Sequence, residues 1–81
     1  MKVTINMPRL ADTMEEGTIV AWVKQVGDHV AKGETLVEIE MEKANMTFES
    51  YVEGTLSRVV APEGATVAIG EPIAEIETPE G

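Results

Sequence analysis

Apolar and polar residues alternate on both sides of Lys43. Before it, Val37, Ile39 and Met41 interleave with Glu38, Glu40 and Glu42. After it, Ala44-Asn45-Met46-Thr47-Phe48-Glu49 alternates again. Period-2 patterning on either side of a short break predicts a β-hairpin with one face buried. Lys43 falls at its tip, held away from the body on a rigid support.

The same patterning occurs twice. Glu16-Gly17-Thr18-Ile19 matches Glu53-Gly54-Thr55-Leu56, and Glu38-Ile39-Glu40 matches Glu75-Ile76-Glu77. Between them, the stretch from Val26 to Glu34 matches the stretch from Glu63 to Glu71, always 37 positions apart and without a gap. Over residues 16–40 against 53–77, 12 of 25 positions are identical. Ordinary residue usage would give only about one or two such matches, so the chain holds two copies of one supersecondary unit.

Each copy reads as a strand (Thr18 to Val23; Thr55 to Val60), a turn at Gly27 or Gly64, a very short strand around Val30 or Val67, a turn at Gly33 or Gly70, and a strand at Leu36 to Glu40 or Ile73 to Glu77. The glycines mark turns that call for φ > 0. Short strands with Gly and Pro punctuation, and no amphipathic helical window, predict an all-β fold. The expected architecture is a flattened β-barrel or sandwich of two four-stranded sheets with a pseudo-twofold. Its expected core is Ile19, Val23, Val30, Val37, Ile39, Met46, Phe48, Val59, Val67, Ile73 and Ile76. The repeat partner of Lys43 is Glu80, beyond the last strand, so the lysine turn is expected at the end of the molecule opposite the chain ends. Residues 1–77 form one domain, and 78–81 read as the start of a linker.

With 81 residues and few aromatics, the domain has a thin, aliphatic core. Trp22, whose repeat counterpart is Val59, reads as structural. The formal net charge of −9 argues against nucleic acid and anionic membrane and favours a basic patch on a partner. There is no cysteine and one histidine, His29; no disulfide, thiolate metal site or multi-His site is available. His29 is expected exposed in a turn. No window reaches a membrane span, and the N-terminus has neither secretory nor transit character. The expected setting is cytoplasmic, with the mitochondrial matrix after presequence removal as the alternative.

Candidate chemistry therefore concentrates on Lys43. A free lysine amine has a pKa near 10.4 and is a poor nucleophile at neutral pH. Neighbouring glutamates favour its protonated form, which suits a site of amide linkage loaded by another enzyme and not a Schiff-base catalyst.

The ordered set Met7-Pro8-Arg9-Leu10-Ala11-Asp12-Thr13-Met14, Glu16-Gly17-Thr18-Ile19, Gly27-Asp28, Lys32-Gly33-Glu34, Leu36-Val37-Glu38-Ile39-Glu40, Glu42-Lys43-Ala44, Gly54-Thr55-Leu56 and Pro62-Glu63-Gly64 resembles the lipoyl domains of 2-oxo acid dehydrogenase complexes, within the wider biotinyl/lipoyl attachment family. The resemblance covers Lys2 to Ile76. It implies that Lys43 carries covalent lipoate. It further implies that Glu40, Glu42 and Ala44 serve recognition by the attaching enzyme or partners, and that Gly27 and Gly54 permit turns beneath the hairpin. Glu42 stands where the family has Asp, and Met41 where it has a small hydroxyl residue. The opening Met-Pro-x-Leu…Thr-Met is closest to the acyltransferases of pyruvate-type and acetoin-type complexes.

The resemblance also implies partners: a thiamine-diphosphate-dependent 2-oxo acid decarboxylase, dihydrolipoyl dehydrogenase, an acyltransferase core and a lipoate-attaching enzyme. It implies a monomeric domain with no catalytic residue of its own, in a parent chain of the dihydrolipoamide acetyltransferase type. Two other classes are weighed against it. Biotin carriers have a Met-Lys-Met turn, which Glu42 and Ala44 do not reproduce. An unmodified β-module for protein assembly would leave Lys43 bare. A glycine-cleavage carrier is longer and adds helical segments.

Overall fold

Eight β-strands make up the regular structure in the computed structural model, which describes residues 1–10, 12–41 and 44–79. They are β1 Lys2–Asn6, β2 Glu16–Trp22, β3 His29–Val30, β4 Thr35–Glu40, β5 Asn45–Glu49, β6 Gly54–Val59, β7 Thr66–Ala68 and β8 Pro72–Glu77. Two antiparallel four-stranded sheets run in the orders β1-β8-β6-β3 and β5-β4-β2-β7. Exchanging each strand for its counterpart (β1 with β5, β2 with β6, β3 with β7, β4 with β8) converts one order into the other. Each sheet thus draws two strands from each half of the chain, and neither half can bury its apolar face alone. The sheets stack as a sandwich with open edges and do not close into a barrel.

The core lies between the sheets. Ile5, Val30, Leu36, Val37, Ile39, Leu56, Ile73 and Ile76 are fully buried, with Ile19, Met7 and Met14 beside them. Each such side chain contributes roughly 1.5–3 kcal/mol by leaving water. The halves also clasp each other through backbone bonds. Gly27 N–H donates to the Leu56 carbonyl at 2.8 Å, and its repeat mate Gly64 donates to the Ile19 carbonyl at 2.7 Å. Gly27, Gly33, Gly64 and Gly70 all have positive φ, as the turn reading expects.

Four register slips also obey the repeat. Val20 and Ser57 are extra residues on β2 and β6. Leu36 and Ile73 are extra residues on β4 and β8. A bulge breaks strict alternation, and this corrects the expected core in two ways. Leu36 and Val37 are both buried though adjacent in sequence. Val23, in phase with Ile19 by period 2, is instead 48% exposed because the slip at Val20 and the end of β2 turn it outward. Met46 is also corrected. It stands opposite Ile39, but β5 is the outermost strand and leaves it exposed. Phe48, Val59 and Val67 are only half-buried against the core.

Trp22 is structural: its indole Nε1–H donates to the Ala61 carbonyl at 2.8 Å, and it packs half-buried against the core. His29 is exposed as expected, but in β3 and not a turn, with Nε2 3.3 Å from Glu53 Oε2. Among the described residues no helix is long and apolar enough to cross a membrane.

Candidate functional site: the β4–β5 hairpin

Strands β4 and β5 pair antiparallel from Thr35↔Glu49 to Glu40↔Asn45. The ladder continues one step further, where Met41 N–H donates to the Ala44 carbonyl at 2.7 Å. Only positions 42 and 43 separate those two residues. Glu42 and Lys43, on which the sequence reading centres, lie outside the described residues; the strands leading into and out of them are described.

The frame these strands make is firmly held. On its inner side Val37 and Ile39 are buried and Met41 is half-buried. β4 is a central strand, flanked by β5 on one side and β2 on the other. Through Thr18↔Glu40 the far end of β4 is tied to β2. Gly17, next to Thr18, is buried so tightly that an added Cβ would meet Ile39 Cγ2 at 2.7 Å and Met14 Cε at 2.8 Å. The Met7–Glu15 connection thereby packs beside the hairpin. Arg9 Nη1 donates to the Met14 carbonyl at 2.9 Å and to that of Asp12 at 3.2 Å, and Leu10 N–H to Met14 Sδ at 3.4 Å. The opening Met-Pro-x-Leu…Thr-Met stretch is therefore a braced loop whose two methionines anchor it. Their role was missed at the sequence level because residues before 16 lie outside the repeat of 37. Two apolar residues bracketing a polar loop were the available signal.

Of the other expected site residues, Glu40 is the exposed last residue of β4 and Ala44 is exposed just before β5. Gly27 is a turn glycine with φ 99°. Gly54 is corrected. It lies in β6 with no positive φ, and glycine is needed there for space, since a Cβ would run into the Glu77 carbonyl and meet Ile76 Cγ2 at 2.8 Å. It is the repeat mate of Gly17, and Ile76 that of Ile39.

β4 holds six residues rising about 3.3 Å each, so Glu40 lies about 17 Å along the hairpin from Thr35. Beyond the Thr35↔Glu49 pair, Tyr51 and Val52 line a cleft of about 400 Å³ together with Met1, Thr78 and Pro79. Met1 and Pro79 thus gather at one end of the molecule and the Glu40↔Asn45 pair lies towards the other. The described hairpin carries Glu38, Glu40 and Glu49 and no described cation. No group of three or more His, Cys, Asp or Glu suited to a metal occurs among the described residues.

The profile of the biotin/lipoyl family, described as "Biotin-requiring enzyme", matches residues 3–76. The chain is 48% identical over 71 residues to the mitochondrial dihydrolipoyllysine-residue acetyltransferase component of the pyruvate dehydrogenase complex of Neurospora crassa, covering 86% of this chain and 16% of that protein. It is 46% identical over 72 residues to the dihydrolipoyllysine-residue succinyltransferase component of the 2-oxoglutarate dehydrogenase complex of Staphylococcus saprophyticus, covering 89% and 17%. The chain spans about a sixth of the length of these curated relatives. Its fold matches the solution structure of the lipoyl domain of the 2-oxoglutarate dehydrogenase complex of Azotobacter vinelandii with a TM-score of 0.75 and 29% identity, over 93% of this chain and 95% of that one. A urea carboxylase from Kluyveromyces lactis matches in fold alone, with a TM-score of 0.78 and 23% identity over 95% of this chain and 6% of that one. The expected cofactor, lipoate, agrees with relatives named for a dihydrolipoyllysine residue.

Proposed function

The chain belongs to the biotin/lipoyl attachment family, and from that premise we propose that it is the lipoyl carrier domain of a dihydrolipoamide acyltransferase, loaded through an amide on Lys43. The observation that carries this reading is the β4–β5 ladder, paired without interruption from Val37↔Phe48 to Glu40↔Asn45 and closed by Met41 and Ala44 around the lysine position. The frame fits the group: the paired strands bring Met41 and Ala44 together on either side of the lysine position, and no enclosing pocket is required.

Attached lipoate supplies a dithiolane that accepts an acyl group together with two electrons and gives up both, so the hard chemistry belongs to the cofactor. The chain's own residues position it. Ile39 and Val37 root the hairpin in the core, Gly17 lets β2 lie close beneath it, and Glu40 and Ala44 flank the lysine position. Lysine and lipoyl chain together make an arm on the order of 14 Å from single bonds of about 1.5 Å. Tethering substitutes a high effective concentration for free diffusion at each partner's site.

In this reading the partners are a thiamine-diphosphate-dependent 2-oxo acid decarboxylase, an acyltransferase core, dihydrolipoyl dehydrogenase and a lipoate-attaching enzyme. The domain is monomeric and residues 78–81 begin a linker to the rest of the chain. The opening Met7-Pro8-Arg9-Leu10…Thr13-Met14 favours the pyruvate or acetoin type, although relatives of both the acetyl- and succinyl-transferring kinds match. The setting is cytoplasmic, or the matrix after presequence removal.

The experiment is intact mass measurement after separate co-expression with a lipoate ligase and a biotin ligase. A lipoyl mass increment on the peptide containing Lys43 is expected, with none from biotin. A biotinyl increment with streptavidin capture would convert the reading to a carboxylase carrier, and an unmodified lysine in both would leave a binding module. The type is read by reductive acylation with pyruvate and 2-oxoglutarate decarboxylases in parallel, with faster transfer expected from pyruvate.

A further inference from the structure

The two sheets have four outer strands, β1, β3, β5 and β7. β3 and β7 have two and three residues, too few to template another strand. β1 carries Lys2, and a charged lysine is a device that protects an edge. β5 has no such residue. Its five residues, Asn45-Met46-Thr47-Phe48-Glu49, include no Lys, Arg or Pro, and all but Phe48 are exposed.

The hydrogen-bond phase of the hairpin shows which groups face outward. Met41 and Ala44 are a bonded pair. Bonded and non-bonded pairs alternate in an antiparallel ladder, so Ile39/Met46 and Val37/Phe48 are bonded while Glu40/Asn45 and Glu38/Thr47 turn their backbone groups away. On β4 those groups meet β2, through Thr18↔Glu40 and Ala21↔Glu38. On β5 the N–H and C=O groups of Asn45 and Thr47 meet no strand among the described residues. They begin two positions from Lys43.

We propose that the lipoate-attaching enzyme docks by adding an extended, basic segment of its own to this free edge of β5. The proposal rests on Lys43 being the lipoyl site and names how the loading enzyme reaches it. Charge selects the occupant. Glu38, Glu40 and Glu49 surround the edge and the chain carries a net charge of −9, so a second copy pairing edge to edge would bring like charges together, whereas a Lys- or Arg-bearing strand gains from them. Main-chain bonds to the edge give affinity with little demand on side-chain identity, which suits a hairpin that carries Met at 41 and Glu at 42.

Thr47→Pro tests this directly. It removes an outward N–H and leaves the groups of Met46 and Phe48 that face β4. Initial rates of loading by a lipoate ligase, with ATP and lipoate, are followed by intact mass on wild type, Thr47→Pro and Thr47→Val, with urea denaturation checking each fold. A fall of about two- to tenfold in kcat/KM for Thr47→Pro, mostly in KM, is expected from the loss of one edge hydrogen bond. Thr47→Val should load at the wild-type rate, and added salt should slow wild type. Independently of any variant, amide hydrogen exchange on the wild-type domain should show Asn45 and Thr47 protected when ligase is added. A folded Thr47→Pro domain loaded at the wild-type rate, or no protection at those amides, overturns the proposal. So does a wild-type dimer in sedimentation that Thr47→Pro dissociates, which would make the edge a self-pairing surface. If wild type takes no lipoate at all, the carrier reading falls, and that outcome is distinct from normal loading of the proline variant.

Discussion

Gly17 and Ile39 approach so closely that a Cβ at position 17 would lie 2.7 Å from Ile39 Cγ2. This contact sets the spacing between β2 and the hairpin strand β4, and the repeat reproduces it between Gly54 and Ile76. The two glycines differ in what else stands in the way. At Gly17 the other neighbours are Met14 Cε and Met7 Sδ, the movable parts of flexible side chains. At Gly54 the first obstacle is the Glu77 main-chain carbonyl, which shifts only if β8 shifts. Gly17→Ala should cost about 1–2 kcal/mol and Gly54→Ala about 3 kcal/mol, within the range for overpacked cores. Urea unfolding of both variants checks the order; equal costs would mean that β8 yields as easily as a methionine.

Lys43→Ala should abolish the lipoyl mass increment and leave the urea midpoint unchanged within error. The ladder on either side is closed by main-chain groups of Met41 and Ala44, and the buried side chains that root it are Val37 and Ile39. An unfolded Lys43→Ala domain would show that the lysine supports the fold. Lys43→Arg should be equally unloaded, because the attaching reaction needs an amine that can be deprotonated and guanidinium keeps its proton.

Much of this architecture was legible because the chain states it twice. The offset of 37 located β2 to β4 and β6 to β8 and the turn glycines, and Lys43 was singled out by alternation on both sides. Three things were hidden. Bulges do not announce themselves in a period-2 pattern, so Leu36 was passed over and Val23 was placed inside. Outermost position in a sheet is a tertiary fact, so Met46 read like any other inward residue. Met7 and Ser50, both buried, occupy matching places: Gly70 N–H donates to the Met7 carbonyl and Gly33 N–H to the Ser50 carbonyl. Their spacing is 43 and not 37, because the loops leading into β2 and β6 differ in length, and a gapless comparison stops at that point.

Trp22 offers a probe of the junction between the halves. Its indole N–H reaches the Ala61 carbonyl, and its own backbone N–H donates to Glu63 Oε2 at 3.1 Å. Trp22→Phe keeps an aromatic ring and removes the indole bond, so a loss of about 1 kcal/mol is expected. Trp22→Ala adds lost packing and should cost about 3 kcal/mol or more. As the single tryptophan, it makes intrinsic fluorescence a direct monitor of wild-type unfolding, with circular dichroism for the variants.

Acid should weaken the domain through Glu34. Its carboxylate accepts a hydrogen bond from the Lys24 ammonium, with Nζ 2.8 Å from Oε2, and another from Ala31 N–H at 2.9 Å. Lys24 is the chief cause, and the pKa is lowered from its ordinary 4.5. The unfolded chain therefore takes up this proton at higher pH than the fold does. The stabilisation is complete above about pH 4.5 and independent of pH there; it drains away as pH falls through the lower, folded value. Glu77 behaves the same way through the Met1 amine, 2.8 Å from its Oε2. Both carboxylates are exposed, so the effect should shrink in added salt. Thermal melts of wild type and Glu34→Gln should differ at neutral pH and converge below pH 4.5, the variant having lost the titration and not merely the contact. Curves that stay parallel through that range would show that Glu34 matters for shape and not for charge.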